Sequence, residues 1–514
     1  MFSNQFAQFP KPHHEPAGAI MLKYLNLTRL KNDPSIIMPC ALLMLVLFGW
    51  SISSPIGSSP DEAFHISSIW CPTSAPSANC IEASETGTRE KLIYLPFVID
   101  TCFNASLATS SACSSTGRPT SQLNRANSTL TPIGFYQVMH RLITSNPTTS
   151  IIMMRISNSL IAVFCFAMVL KLSNRKIRTA FIVSWFATLI PLGLSLIASV
   201  NPSSWAIIAG TTNWAFLITV ITAPRKSSKQ FLAGMMWLFT LLLAFNSRYD
   251  GFFGVLATSL IALFAHYGIN IRSIRRFAPW ILVAILCVFS LKQARETIGL
   301  FVLLSNSVNT YPDRSLSQWF IFNIVHVVEI PLGTWGGDWG AGGIKSFDIS
   351  PPPLVSVIGF GLCIVTLTFS FQKTDRRQIL VFLASSLLIF LPVFQMLYHW
   401  RFLIGDMVTA RYILPVMPFL IGISIYTSNS LSQLIDGKRA RIVLITLTSI
   451  AHSLALFTIL QRYVSGNDGF YRLIDTTGGW WWQSMPFGPN LVWLVGSSAL
   501  PLMMTSWAKS ADLQ

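Results

Sequence analysis

The sequence predicts an all-α transmembrane protein, a helical bundle of about twelve spans with large outward loops. Three observations carry that expectation. First, 52% of its 514 residues are hydrophobic and only 11% are charged, against roughly 25% charged in soluble proteins. Second, the apolar residues form continuous runs of about 20, the length that crosses a hydrocarbon core as helix, whereas a barrel strand would alternate. Third, the basic residues fall in short clusters between the runs: "SNRKIR" at 173–178, "PRKSSK" at 224–229, "RSIRR" at 272–276, "QKTDRR" at 372–377 and "DGKRAR" at 436–441. That is the positive-inside pattern. It accounts for the formal net charge of +16, so a nucleic-acid partner is rejected and the lipid bilayer is the expected surrounding.

The spans fall near 34–54, 150–171, 179–200, 205–223, 231–247, 250–267, 279–295, 353–371, 379–398, 412–428, 442–461 and 489–507. With the basic clusters inside, both termini are cytoplasmic, and the first span is not read as a cleaved leader. The expected organisation is a cytoplasmic tail (1–33), a transmembrane module (34–428) and C-terminal spans (429–514). The longer outward loops are 55–149, 296–352, 399–411 and 462–488. Loops held by a rigid scaffold are where sites tend to be built.

The first loop is rich in Ser, Thr and Asn, which suggests flexibility, but it holds Cys71, Cys80, Cys102 and Cys113; the other four cysteines lie inside spans. Four cysteines allow three connectivities. The expected pairs are Cys71–Cys80 and Cys102–Cys113, each closing a short loop in an oxidising compartment. No CxxC spacing favours a metal. The loop ends in "TPIGFYQVMHRLI", where Phe135, Met139, Leu142 and Ile143 recur at helical spacing and predict an interfacial helix. No Walker, GxGxxG, HExxH or GxSxG sequence supports nucleotide or hydrolase chemistry.

Candidate chemistry gathers at the outward ends of spans. In "SSPDEAFH", Ser59 is placed to cap a helix, with Pro60, Asp61 and Glu62 in its first turn. The same carboxylates, at the mouth of a bundle, have the chemistry to take a proton from a hydroxyl, with His65 one turn beyond Asp61. Arg248 and Asp250 stand in "NSRYDGFFG", Asn201 in "SVNPSSW", and Arg411 and Tyr412 in "TARYILP". An arginine there is either a snorkelling anchor or a bidentate phosphate ligand. Trp480, Trp481 and Trp482 read as interfacial belt or as a stacking surface.

"PDEAFH", "GTWGGD" and "ARYILPVMPF" resemble the signatures of a bacterial family of polytopic membrane proteins, PDE-x-x-H, G-x-L-G-W-L-D and G-R-Y-x-x-P, over about 34–428. The middle segment departs, with Asp338 or Asp348 as the equivalent acid, and Ala410 replaces the usual Gly. That family is similar in turn to C-type-fold integral-membrane glycosyltransferases such as protein O-mannosyltransferases. The resemblance implies a plasma-membrane enzyme of that architecture. It would transfer a sugar, with inversion, from a polyprenyl-phosphate donor to a glycan, lipid or protein acceptor of the cell envelope. Asp61 would be the general base, oriented by Glu62 and His65. Arg411 and Arg248, with Asp250, Tyr412 and Asp338, would bind the donor. No cofactor is specified, and a divalent metal stays open. A flippase for a lipid-linked glycan, or a scaffold in envelope polysaccharide assembly, are the alternatives. The spans carry almost no charge, which favours the enzyme.

Overall fold

The computed structural model describes residues 34–71, 81–85, 90–114, 116–118, 122–127, 133–268, 313–336, 351–400, 403–404, 409–428, 437–466, 474, 479–482 and 485–512. Helix α1 (Pro34–Ile52) is the first span, and α2 (Glu62–Trp70) follows at its far end. Three antiparallel strands come next: β1 (Ile81–Glu85), β2 (Glu90–Leu95) and β3 (Gln122–Asn127), in the order β1-β2-β3. Helix α3 (Ile133–His140) leads into α4 (Pro147–Leu172), α5 (Arg175–Thr188) and α6 (Leu192–Ile197). Then come α7 (Ser203–Thr222), α8 (Ser228–Phe245) and α9 (Tyr249–Tyr267). Beyond them lie α10 (Leu316–His326), α11 (Glu329–Thr334), α12 (Pro353–Ser370) and α13 (Arg376–Trp400). The last three are α14 (Met417–Thr427), α15 (Lys438–Val464) and α16 (Pro489–Asp512).

Among the described residues eight helices are long and apolar enough to cross a membrane: α1, α4, α7, α8, α9, α12, α15 and α16. Each coincides with an expected span. Among the described residues the count of twelve is not reached. The expected span 179–200 is split, because α5 ends at Thr188 and α6 begins only after Pro191; proline lacks the N–H and clashes with the preceding turn. The expected span 412–428 shrinks to the 11 residues of α14, which starts at Met417, beyond Pro415 and with Pro418 in its first turn, while Ala410–Tyr412 forms a 3₁₀ turn. Expected span 379–398 falls in the 25-residue α13, outside the eight. Expected span 279–295 lies outside the described residues.

Helix α7 is the centre, with every side chain from Ser203 to Val220 buried. Among these apolar neighbours a polar residue must be paired. Asn213 is: its Nδ2 donates to Thr240 Oγ1 (2.9 Å), and its Oδ1 accepts from Ser259 Oγ (2.7 Å), tying α7 to α8 and α9. Gly210 lets α7 approach the chain at Pro415, whose carbonyl a Cβ would strike. The first and last spans meet at Gly49 and Gly496, where a Cβ on Gly49 would lie 3.4 Å from the other backbone.

The first loop is more than flexible chain. Ile93, Leu95, Phe97 and Ile99 are buried while Tyr94 is exposed, the period-2 pattern of a half-buried strand. β2 pairs with β3 in the register Leu92↔Arg125 and Leu95↔Gln122. Cys102 and Cys113 are bonded, as expected. Cys71 is also disulfide-bonded, and its expected partner Cys80 lies outside the described residues. This hairpin is clamped to the top of α15. Arg462 donates to the carbonyls of Thr109 and Phe103 (both 2.7 Å), and Ser111 Oγ donates to the carbonyls of Tyr463 and Gly479.

Candidate functional site

The turn between α1 and α2 departs from the expected cap. Helix α2 starts at Glu62, so Asp61 stands at its N-cap in the left-handed region (φ 57°) and makes no capping bond. A non-glycine residue with positive φ costs free energy, least for Asp and Asn. The turn is held by Asn201, whose Nδ2 donates to the Pro60 carbonyl (2.8 Å) and whose Oδ1 accepts from the Ser203 amide (2.8 Å). The "VNPS" segment that opens α7 therefore fixes where Asp61 points.

Asp61 points at Arg411: Nη1 lies 2.5 Å from Oδ2, with the carboxylate side chain 52% exposed and the arginine 13% exposed. Arg411 enters from the 3₁₀ turn Ala410–Tyr412 before α14. Tyr412 lies between two guanidinium groups, 5.4 Å from Arg411 and 4.7 Å from Arg248. Arg248, the residue before α9, reaches both Asp250 oxygens (3.0 and 2.8 Å) and Ser203 Oγ (3.1 Å). Asp61, Arg411, Tyr412, Arg248 and Asp250, from three remote stretches of sequence, thus form one charged string at one end of the bundle. Partial burial alone would push the Asp61 carboxyl up; Arg411, with His65 and Arg248 adding to it, outweighs burial and holds the group below its usual range. For Arg248, Asp250 outweighs burial and keeps the guanidinium firmly charged.

His65 lies one turn along α2. Its Nδ1 shares a hydrogen bond with the Tyr136 hydroxyl on α3 (3.0 Å). Burial pushes the imidazole down to about 3 against the pull of Asp61, with the two arginines adding to the fall, so it is neutral at ordinary pH. The α3 helix predicted from spacing is present, with Phe135 and Met139 buried, and His140 Nδ1 meets the Ile69 carbonyl (2.7 Å).

A family model of predicted membrane proteins, DUF2142, matches residues 43–420, well over half of the chain and inclusive of every residue of this string. The chain belongs to the DUF2142 family. No curated protein matches it. As a DUF2142 member with eight membrane-length helices it is a multi-pass membrane protein.

Glu62, grouped with Asp61 by sequence, turns the other way in this DUF2142 chain. It is fully buried and pairs with Arg155 of α4, itself 1% exposed. Arg155 Nε and Nη2 reach Glu62 Oε1 and Oε2 (2.9 and 2.6 Å). Its remaining donors meet the carbonyls of Ser51, Ser54 and Pro55 at 2.8–3.0 Å. The Glu62 oxygens also accept the amides of Gly57 (3.0 Å) and Val200 (3.1 Å). All five guanidinium donors are satisfied, so Glu62 is a buried clamp holding the α1–α2 turn and faces away from Asp61. Sequence reasoning missed Arg155 by treating the spans as free of charge. The signal was present, since a lone arginine inside a span requires a partner.

Among the described residues of the glycine- and tryptophan-rich segments, Trp335, Trp480 and Trp482 are buried in packing. Trp335 is buried, donates to the Ala187 carbonyl (2.7 Å) and fills the space left by Gly359. Gly333 brings α11 against Ala410, so two of the resembling motifs meet beside Arg411. Trp480 and Trp482 are buried, and Trp482 donates to the Ile52 carbonyl (2.8 Å), which fits neither a lipid-facing belt nor a stacking surface. Asp338 and Asp348 lie outside the described residues. Among the described residues no group of three or more His, Cys, Asp or Glu is placed to hold a metal ion.

Proposed function

We propose that this DUF2142 chain transfers a sugar from a polyprenyl-phosphate donor to an envelope glycan, lipid or protein acceptor at the outer face of the plasma membrane, on a C-type glycosyltransferase-like bundle. The observation that carries the reading is the Asp61–Arg411 pair: an accessible carboxylate in a strained turn, free of capping duty, joined to an arginine set beside a second arginine and a tyrosine. A base and a phosphate ligand in contact suit a reaction confined to the membrane interface, where a lipid-linked donor resides.

The pairing also supplies an order of events. Without donor, Arg411 neutralises Asp61 and makes it a weak base. A donor phosphate competes for Arg411, with Arg248 beside it, in the bidentate geometry that guanidinium favours. Released from its counter-charge, Asp61 regains basicity and takes the proton of an acceptor hydroxyl. The acceptor oxygen attacks the anomeric carbon, the bond from that carbon to the phosphate oxygen breaks, and polyprenyl phosphate departs with its charge held by the arginines. Attack opposite the leaving group inverts the anomeric centre. The neutral His65–Tyr136 pair offers hydrogen bonds to the acceptor without adding charge.

The test uses purified full-length protein and a panel of labelled polyprenyl-phosphate sugars, with release of polyprenyl phosphate as the readout. Asp61→Asn lowers turnover by about 10²–10⁴-fold, the usual contribution of a general base, while donor affinity is unchanged or tighter because Arg411 is freed. Arg411→Ala weakens donor binding as well as turnover. Transfer by Asp61→Asn near the wild-type rate, in protein of unchanged stability, overturns the assignment of the base. Movement of a lipid-linked glycan across vesicles without sugar release points instead to a flippase.

A further inference from the structure

The opposite end of the bundle holds a second polar site. Spans alternate in direction, so Lys176 at the start of α5, His266 at the end of α9, Arg377 at the start of α13 and Tyr426 at the end of α14 all come to that end. They line one cavity of about 210 Å³, with Asp375 and Thr427 on its rim. The residue separation along α9 puts it about 24 Å from Asp250 (16 residues at 1.5 Å).

Three features give the cavity a chemistry. Arg377 Nε is buried and meets no hydrogen-bond acceptor of the protein. Lys176 Nζ lies 5.2 Å from the centre of the Tyr426 ring, and the Tyr426 hydroxyl is joined to His266 Nδ1 (3.1 Å), so the wall presents donors and a second cation. Asp375, the one carboxylate among the lining residues, caps the start of α13, where its Oδ1 accepts from the Gln378 amide (2.7 Å), and Lys176 and Arg377 outnumber it. Partial burial and the neighbouring Arg377 push the Lys176 amine below its usual value, as fits two cations brought to one cavity. A basic cluster that served orientation alone would need no cavity and no guanidinium with a buried, unpartnered Nε.

We propose that this cavity binds a phosphate group, with Arg377 and Lys176 as its charged ligands and His266 and Tyr426 as neutral ones. The phosphate is either that of an anionic lipid headgroup, since basic pockets between spans hold such headgroups, or one in solution. The site is independent of the Asp61 mouth, and its occupancy is expected to be unaffected by Asp61→Asn.

The experiment compares full-length wild-type protein, delipidated in detergent, after addition of phosphatidylglycerol, phosphatidylcholine or inorganic phosphate. Native mass spectrometry reads retained lipid, and thermal unfolding reads protection by phosphate. Wild type retains phosphatidylglycerol over phosphatidylcholine. Lys176→Gln and Arg377→Gln each cut that preference about fivefold, the worth of one cation near an anionic headgroup. Arg225→Gln, an exposed cation at the same end, leaves it unchanged, and Arg377→Lys retains part of it. Protection by inorganic phosphate that shows the same dependence, without lipid preference, supports the site and assigns a soluble phosphate. If Arg377→Gln does not fold, the exposed Lys176 carries the comparison. Retention and protection equal to wild type in Lys176→Gln, or lost equally in Arg225→Gln, overturn the proposal.

Discussion

Asp61 and Glu62 are neighbours in sequence with opposite fates, and the left-handed turn at Asp61 separates them. Glu62 is committed to Arg155, and removing one partner of such a buried pair typically costs about 3–5 kcal/mol, because the other is left charged without compensation. Glu62→Gln is therefore expected to lower the unfolding temperature in detergent sharply, and a mild fall of a degree or less would contradict the clamp. His65 supplies a pH dependence. Its folded value of about 3 lies below the ordinary imidazole value near 6.5. Between those values the unfolded chain binds the extra proton, so this contribution is full above about pH 6.5 and is lost as pH falls toward 3. His65→Gln should flatten the acid limb of the stability curve between pH 4 and 6.5, and an unchanged limb would show that His65 does not titrate this way. The charged string itself was legible in sequence, because Asp61, His65, Arg248, Asp250, Arg411 and Tyr412 all sit where spans end. Arg155 was not, because it stands within the apolar run of α4, where mean hydropathy hides a single charge.

At the scale of elements, the long uninterrupted runs were read correctly, since twenty apolar residues specify a spanning helix with little help from context. The interrupted ones were not. Pro191 breaks one run and Pro415 shortens another, and hydropathy alone does not register a missing N–H. The shortened α14 leaves Arg411 and Tyr412 in a 3₁₀ turn outside the α-helix. The small sheet went unseen because its alternation at 92–99 is flanked by Ser- and Asn-rich chain that dominates the composition. The Cys102–Cys113 bond closes the hairpin that Arg462 and Ser111 fasten to α15. A bridge of this kind typically contributes about 2–4 kcal/mol by constraining the unfolded chain. Replacing both cysteines by serine should speed proteolytic cleavage within 100–118 while leaving the Asp61 site intact, because that site is held by Asn201 and Arg155. Cleavage at the wild-type rate would mean that the Arg462 clamp alone orders the hairpin.

Across the whole molecule, charge is sorted by end. The Asp61 mouth gathers carboxylates and arginines in matched pairs, whereas the other end collects Arg175, Lys176, Arg178, Lys229, Arg377 and Arg439 with few acids to balance them. Among the described residues the unbalanced basic charge is thus concentrated at that end. Retention of such clusters on the cytoplasmic side is what orients a polytopic chain, and a lipid-linked donor at the outer leaflet demands that orientation. The last prediction follows from this asymmetry and is decided by labelling in intact cells. Leu123, 46% exposed on β3, and Arg439, exposed at the start of α15, stand at opposite ends. A cysteine placed at Leu123 should react with a membrane-impermeant maleimide added outside, and one placed at Arg439 should react only after permeabilisation. The reverse pattern would put Asp61 in the cytoplasm, where soluble nucleotide sugars are the available donors, and the polyprenyl-phosphate reading would fall with it. Reaction at both positions in intact cells would mean that the eight spans do not hold the two ends on opposite sides of one bilayer.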